Sequence, residues 1–222
     1  MNIAICVSGI PRGVYSKELI KNIASNTNYK VCIFIHYWQD SGLARTHSYT
    51  QKNDYPFDYF DYCIENCKLE TQADNFENYL PEFQRQYDSI PEDKKVRKEC
   101  GIYGMYYSIM KAGQMWQDYE KNNNMLFDCV IRSRFESQFK NSINNIEFEK
   151  FDLNCIWIPD VNYCKDTGIN DQLAFSNREN MQHYMNAYHK VTEYSQKYFY
   201  GPELILHKHL SGYKVHKQNY IF

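Results

Sequence analysis

Apolar residues in this chain gather in short continuous runs separated by polar stretches. Residues 3–7 form the first run, and Ser8, Gly9, Pro11 and Gly13 stop it with loop formers. Over residues 16–24 Leu19, Ile20 and Ile23 fall on one face at helical spacing, and residues 31–35 form a second apolar run. Strand, glycine loop, helix and buried strand make a βαβ unit. Runs without polar alternation imply strands covered on both faces by helices. The opening of the chain therefore predicts a parallel, doubly wound sheet.

Further along, residues 40–58 are polar and read as a long loop, and residues 59–69 as a third strand. Residues 71–98 are charged and contain Pro81 and Pro91, which suits an irregular insertion of the kind that forms lids or walls. The strongest helix spans residues 101–122, where Tyr103, Tyr106, Tyr107, Met110, Met115 and Trp116 follow a helical period. Residues 127–131 and 155–158 read as strands, 178–194 as a helix, 202–210 as a short helix and 213–216 as a last strand. No internal repeat, low-complexity segment or linker composition divides the chain, so one domain is expected.

Composition changes this picture little. The chain has 222 residues, 43% hydrophobic and 23% charged, which is ordinary for a globular protein. A net charge of −2 gives no general electrostatic case for nucleic acid or an anionic membrane. The 21 Tyr and 13 Phe stand out. Such rings suit half-wet clefts that stack on sugars or bases, and a low-GC codon bias raises Tyr, Asn, Lys and Ile together. Of the eight cysteines, Cys6, Cys32, Cys129 and Cys155 sit in apolar runs and read as small buried hydrophobes in a reducing compartment. Cys63 and Cys67 are the closest pair, and no second pair at zinc spacing follows. No basic region precedes the first apolar run, and no run approaches the ~18 residues that span a bilayer, so a cytoplasmic protein is expected.

Ligands of open α/β sheets bind beyond the carboxyl ends of the strands, near a switch in strand order. Three loops at such ends carry polar groups. In residues 8–13, Gly9 lets the backbone approach a diphosphate that Arg12 can pair with, although neither a GxGxxG fingerprint nor a P-loop is present. His36, Tyr37 and Trp38 close the second strand, where they either stack on a nucleobase or cap the sheet. Arg132, Arg134 and Glu136 follow an apolar strand and need a ligand, a metal or one another. Later, Asn170, Asp171 and Gln172 follow Gly168; Asp171 is a general base toward an acceptor hydroxyl or a sugar-hydroxyl contact, or else Asn170 or Asp171 simply caps the next segment. Glu203 and His207 have i, i+4 spacing, which fits a metal pair or a solvent-facing helix end.

The opening segment, residues 32–38, Gly-Met-Tyr-Tyr-Ser-Ile at 104–109, residues 128–136, residues 168–175 and Gly-Pro-Glu at 201–203 together resemble small GT-A-like glycosyltransferases. Such enzymes occur in bacterial surface-polysaccharide clusters and large DNA viruses. The resemblance runs in order along nearly the whole chain, while each segment alone is weakly specific. It implies a single GT-A-like α/β domain with a Rossmann-like, mostly parallel central sheet flanked by helices. A nucleotide-binding half would span about residues 1–136 and an acceptor-side half about residues 137–222.

The nucleotide-sugar donor would meet Ser8, Gly9, Arg12, His36, Tyr107, Arg132 and Arg134. The glycan or glycoconjugate acceptor would meet Asn170 and Gln172, with Asp171 as the base of an inverting reaction. The wider class keeps an Asp-x-Asp metal motif near residues 132–136, and this chain has none. Either Glu136 and His207 hold a divalent metal (Mn²⁺ or Mg²⁺) with the donor diphosphate, or Arg132 and Arg134 neutralise it without metal. A nucleotidyltransferase is the enzymatic alternative, although its glycine-rich loop is normally longer. A degenerate carbohydrate-binding transferase in a glycan-assembly complex is the alternative that the missing Asp-x-Asp favours.

Overall fold

The computed structural model describes residues 1–11, 20–21, 23–25, 28–39, 67–95, 100–135, 137, 147–160 and 169–218. Arg12, Glu136, Gly168, Cys63 and the loop expected at residues 40–58 lie outside these. Seven strands form one sheet: β1 (Asn2–Gly9), β2 (Lys30–Gln39), β3 (Lys68–Asn75), β4 (Cys129–Arg134), β5 (Ile156–Pro159), β6 (Leu173–Ser176) and β7 (Val215–Gln218). Their order is β3-β2-β1-β4-β6-β5-β7. All neighbouring pairs are parallel except those of β6, which runs antiparallel to both β4 and β5. The chain is thus a single α/β domain with a mostly parallel central sheet flanked by helices.

The continuous apolar runs behave as expected. Ile3, Ala4, Ile5, Cys6 and Val7 are all fully buried, because β1 lies between β2 and β4 and is covered on both faces. Ala4 and Cys6 face one core and Ile3, Ile5 and Val7 the other. Residues 20, 21, 23 and 24 are helical, with Ile20 and Ile23 buried in the second core.

The first core is built around helices. These are α1 (Phe76–Asp88), α2 (Gly101–Asn123), α3 (Arg178–Met185), α4 (Val191–Lys197) and α5 (Pro202–His209). Helix α2 has the predicted extent within one residue and ends at Asn124, whose left-handed backbone closes it. The helix expected over residues 178–194 is broken into α3, a 3₁₀ stretch (Asn186–Lys190) and α4.

The middle of the chain is more regular than expected. Residues 59–66 of the expected third strand lie outside the described residues; the described strand runs Lys68–Asn75, so the expected irregular insertion contains its end and all of α1. Among the described strands β3 pairs only with β2, so as an edge strand it has little apolar surface to cover. In α1, Asn75 caps Glu77 N, and Phe76, Phe83 and Tyr87 bury one face despite Pro81.

Close packing at the start of α2 yields a stability prediction. Trp38 Nε1 donates to Gly104 O at 3.1 Å, and a Cβ on Gly104 would stand 2.4 Å from Phe76 Cε2. The Phe76 ring is itself held edge-on to Trp38 at 5.1 Å, so it has no room to swing away. Gly104→Ala is expected to destabilise by about 1–2 kcal/mol, overpacking outweighing the gain in helix propensity. An unchanged urea midpoint would refute this packing.

Helices α3 and α5 are joined by two stacked histidines. The rings of His183 and His209 lie 4.1 Å apart at 4°, and each Nε2–H donates to the other's backbone carbonyl at 2.8 Å. This leaves Nδ1 of the buried His209 facing no hydrogen-bond partner among the described residues, so a proton there would have nowhere to donate. Burial pushes the His209 imidazole down to about 4; its bond to the His183 carbonyl opposes this, and His183 and Lys190 add to it. The unfolded chain takes up this proton first, near pH 6.5, so the contribution is complete above about 6.5 and is lost as pH falls towards 4. Its size is about 3 kcal/mol. Denaturation at pH 7 and pH 4.5 should show a smaller loss in His209→Gln than in the wild type; equal losses would discount this group.

Candidate functional site

Strand order reverses between β1 and β4, whose carboxyl ends share one edge of the sheet. Because β6 is reversed, its beginning reaches that same edge. This brings Ser8 and Gly9, Ser133 and Arg134, and Asn170 to Gln172 together. Ser8 pairs in register with Arg134 across β1 and β4, and Ser133 with Leu173 across β4 and β6. A crevice at such a switch is where open α/β sheets take ligands.

The centre of the site is an ion pair between Arg134 Nη2 and Asp171 Oδ2. The Asp171 side chain is 6% exposed and that of Arg134 22%, so the carboxylate is enclosed and the guanidinium reaches solvent. Arg134 Nη2 also lies 3.0 Å from Met105 Sδ on α2. The loop before β6 is held from below. Arg134 N donates to Gln172 O at 3.1 Å, Ser137 Oγ donates to the same carbonyl at 3.1 Å, and Gln172 N donates to Asn170 Oδ1 at 2.7 Å. Asn170 is thus buried and shapes the turn, while Gln172 is half-buried.

Beneath this pair lies a buried polar layer. Arg132 lies within β4, in register with Cys6 and Ala174, and is fully buried. The sequence suggested a charge beyond the strand; β4 instead continues to Arg134 because β1 and β6 pair with it on both sides. Tyr106 of α2 donates to Pro202 O at 2.6 Å, tying α2 to the first residue of α5. Burial pushes the Tyr106 hydroxyl well above its ordinary value; Asp171, Tyr184 and Glu203 add to this, and Arg132 opposes it. Tyr184 is pushed up to about 12 by burial, with Arg132 and Arg134 opposing and Asp171 adding. Both hydroxyls therefore stay protonated beside the Arg132, Arg134 and Asp171 charges.

His36 and Tyr107 stand differently from their expected donor-facing roles. Strand β2 extends to Gln39, so His36 sits inside it, fully buried, with Nδ1 at 2.8 Å from Ser108 Oγ and Nε2 at 3.0 Å from Asp74 Oδ2. Tyr107 lies in an aromatic cluster, stacked on Trp38 at 5.5 Å and tilted against Tyr79 at 4.7 Å. Ser8 is 2% exposed, and Gly9 has φ +120°, a conformation that favours glycine. Arg12 lies outside the described residues.

His207 is exposed in the last turn of α5, whereas His209 in the same turn is buried. Among the described residues no group of three or more His, Cys, Asp or Glu side chains converges as a metal cage requires, and Glu136 is not among them. The described cysteines are all free thiols, and no described helix is long and apolar enough to cross a membrane. The sequence pattern does not mark Asp74, Tyr106, Ser108 or Tyr184 as site residues. The signal available for Ser108 is a hydroxyl within the long run of buried positions of α2.

No protein-family model matches the chain, and no curated protein matches it by sequence. Among solved structures it is similar to the galactosyltransferase LgtC in complex with donor and acceptor sugar analogues. Identity is 12%, the match covers 97% of this chain and 73% of that one, and the TM-score is 0.46. It is also similar to the bifunctional glycosyltransferase WbbM in its apo form, at 10% identity and TM-score 0.44 over 98% of this chain and 38% of that one. Both are likenesses of overall course at low identity.

Proposed function

We propose that the chain transfers a sugar from a nucleotide-sugar donor to a hydroxyl of a glycan or glycoconjugate acceptor. The observation that carries this is the Arg134–Asp171 pair at the β1/β4 switch, in register with Ser8 and next to Gly9. A cation and an enclosed carboxylate side by side suit a reaction that expels an anion and removes a proton in one step.

In this reading the acceptor oxygen attacks the anomeric carbon as its bond to the diphosphate breaks. The diphosphate leaves with the electron pair, and the acceptor proton passes to Asp171, giving inversion. Arg134, released from Asp171 by the donor, compensates the leaving charge, and Arg12 adds a second cation to the first loop. Gln172 contacts a sugar hydroxyl while Asn170 holds the turn. Glu136 and His207 are the carboxylate and imidazole proposed for a divalent metal, which would supply charge neutralisation at the diphosphate.

The test is to incubate the full chain with UDP-, GDP- and dTDP-sugars and oligosaccharide acceptors, with and without manganese. Release of nucleoside diphosphate with a glycosylated product is expected. Pyrophosphate release from a nucleoside triphosphate and a sugar phosphate would favour a nucleotidyltransferase, and a folded chain that does neither would remove both enzymatic readings.

A further inference from the structure

Three side chains from three elements connect the β3 edge of the sheet to the loop after β1. Asp74, at the end of β3, holds His36 Nε2 at 3.0 Å. His36 Nδ1 lies 2.8 Å from Ser108 Oγ on α2, and Ser108 Oγ accepts the backbone N–H of Gly9 at 2.8 Å. The His36 and Ser108 side chains are fully buried, and the Asp74 side chain is 18% exposed. A Ser–His–Asp chain invites a nucleophilic reading, but a serine closed off from solvent and already accepting a peptide N–H cannot reach a substrate carbonyl. What it can reach is Gly9, whose φ of +120° is the turn that ends β1.

We propose that Asp74, His36 and Ser108 form a positioning relay that fixes the Gly9 peptide, and through it the donor affinity of the first loop. The donor part rests on the glycosyltransferase reading; the positioning of Gly9 does not. With neutral His36, Nε2–H donates to Asp74, Nδ1 accepts the Ser108 hydroxyl, and Ser108 Oγ accepts Gly9 N–H. Protonation of His36 puts a second donor on Ser108 Oγ, and the hydroxyl hydrogen turns to the His36 carbonyl, 3.1 Å away. Both states keep their hydrogen bonds, so the imidazole can change charge without breaking the fold. The groups facing it are Asp74 from β3, and Tyr107 and Lys111 from α2, with Tyr79 of α1 reaching Asp74 at 3.4 Å. Burial lowers the His36 value, Asp74 raises it and Lys111 lowers it.

Ser108→Ala removes the acceptor of Gly9 N–H. Hydrogen exchange at the Gly9 amide should rise at least about tenfold, with β1 residues before Ser8 unchanged within about twofold. With whichever UDP-, GDP- or dTDP-sugar gives fastest diphosphate release, donor KM should rise about tenfold and kcat stay within about twofold, as for an interaction held equally in ground and transition states. Wild-type donor KM should fall as pH is lowered through a single inflection, because an imidazolium adds charge beneath a loop that takes a diphosphate. Asp74→Asn keeps an acceptor, loses the charge, and should move that inflection to lower pH; this variant also serves if Ser108→Ala does not fold. Unchanged Gly9 exchange in a folded Ser108→Ala, a loss confined to kcat, or an inflection that Asp74→Asn leaves in place would overturn the relay. A chain that turns over no donor would remove the glycosyltransferase reading, and the relay then stands or falls on Gly9 exchange.

Discussion

Asp171→Asn is expected to lower turnover by roughly 10²–10⁴-fold, the contribution of a positioned general base, while donor affinity stays within about twofold. The replacement is nearly isosteric, and its amide oxygen can still accept from Arg134. Loss of rate with retained binding therefore separates a chemical role from a positional one. Of the two cap candidates, Asn170 accepts from Gln172 N, while the Asp171 side chain is paired with Arg134 across 37 residues of sequence. Single-turnover kinetics on a variant with unchanged near-UV circular dichroism is the measurement. A wild-type rate would mean that Asp171 only anchors Arg134, and that the base lies elsewhere.

Arg134→Ala should be among the most destabilising single changes in the site. It leaves the Asp171 carboxylate, 6% exposed, without the cation that faces it, and breaking such a pair costs about 3–5 kcal/mol. Adding Asp171→Asn removes the stranded charge, so the double variant should recover at least half of that loss. Urea denaturation of the two single variants and the double variant closes the cycle. Additive losses would show that the two side chains do not stabilise one another, and the site would lose its centre.

The parts of the fold written as local patterns were legible from the sequence. The apolar runs at β1 and β2 and the helical period of α2 are statements about neighbours along the chain, and the structure places all three where expected. Strand β3 and α1 were not legible. An edge strand needs little apolar surface, and Pro81 within α1 reads locally as a breaker although Phe76, Phe83 and Tyr87 carry the packing. The placement of Arg132 was missed for a related reason: a charge reads as an end, and only pairing with both β1 and β6 makes position 132 central.

The site divides in the same way. Asp171 between two amides, and arginines after an apolar run, could be read directly. That Arg134 meets Asp171 depends on β6 running backwards, which no spacing in the sequence announces. Ser108 reaches His36 across 72 positions and Gly9 across 99, so its role depends on the packing of α2 over the sheet.

The claim that the β1/β4 switch is the donor site is tested most directly by hydrogen exchange with and without saturating nucleotide sugar, using the donor that gives the fastest diphosphate release. Protection is expected together at residues 7–9, 133–137 and 170–172. Protection elsewhere that leaves all three segments unchanged would contradict the account.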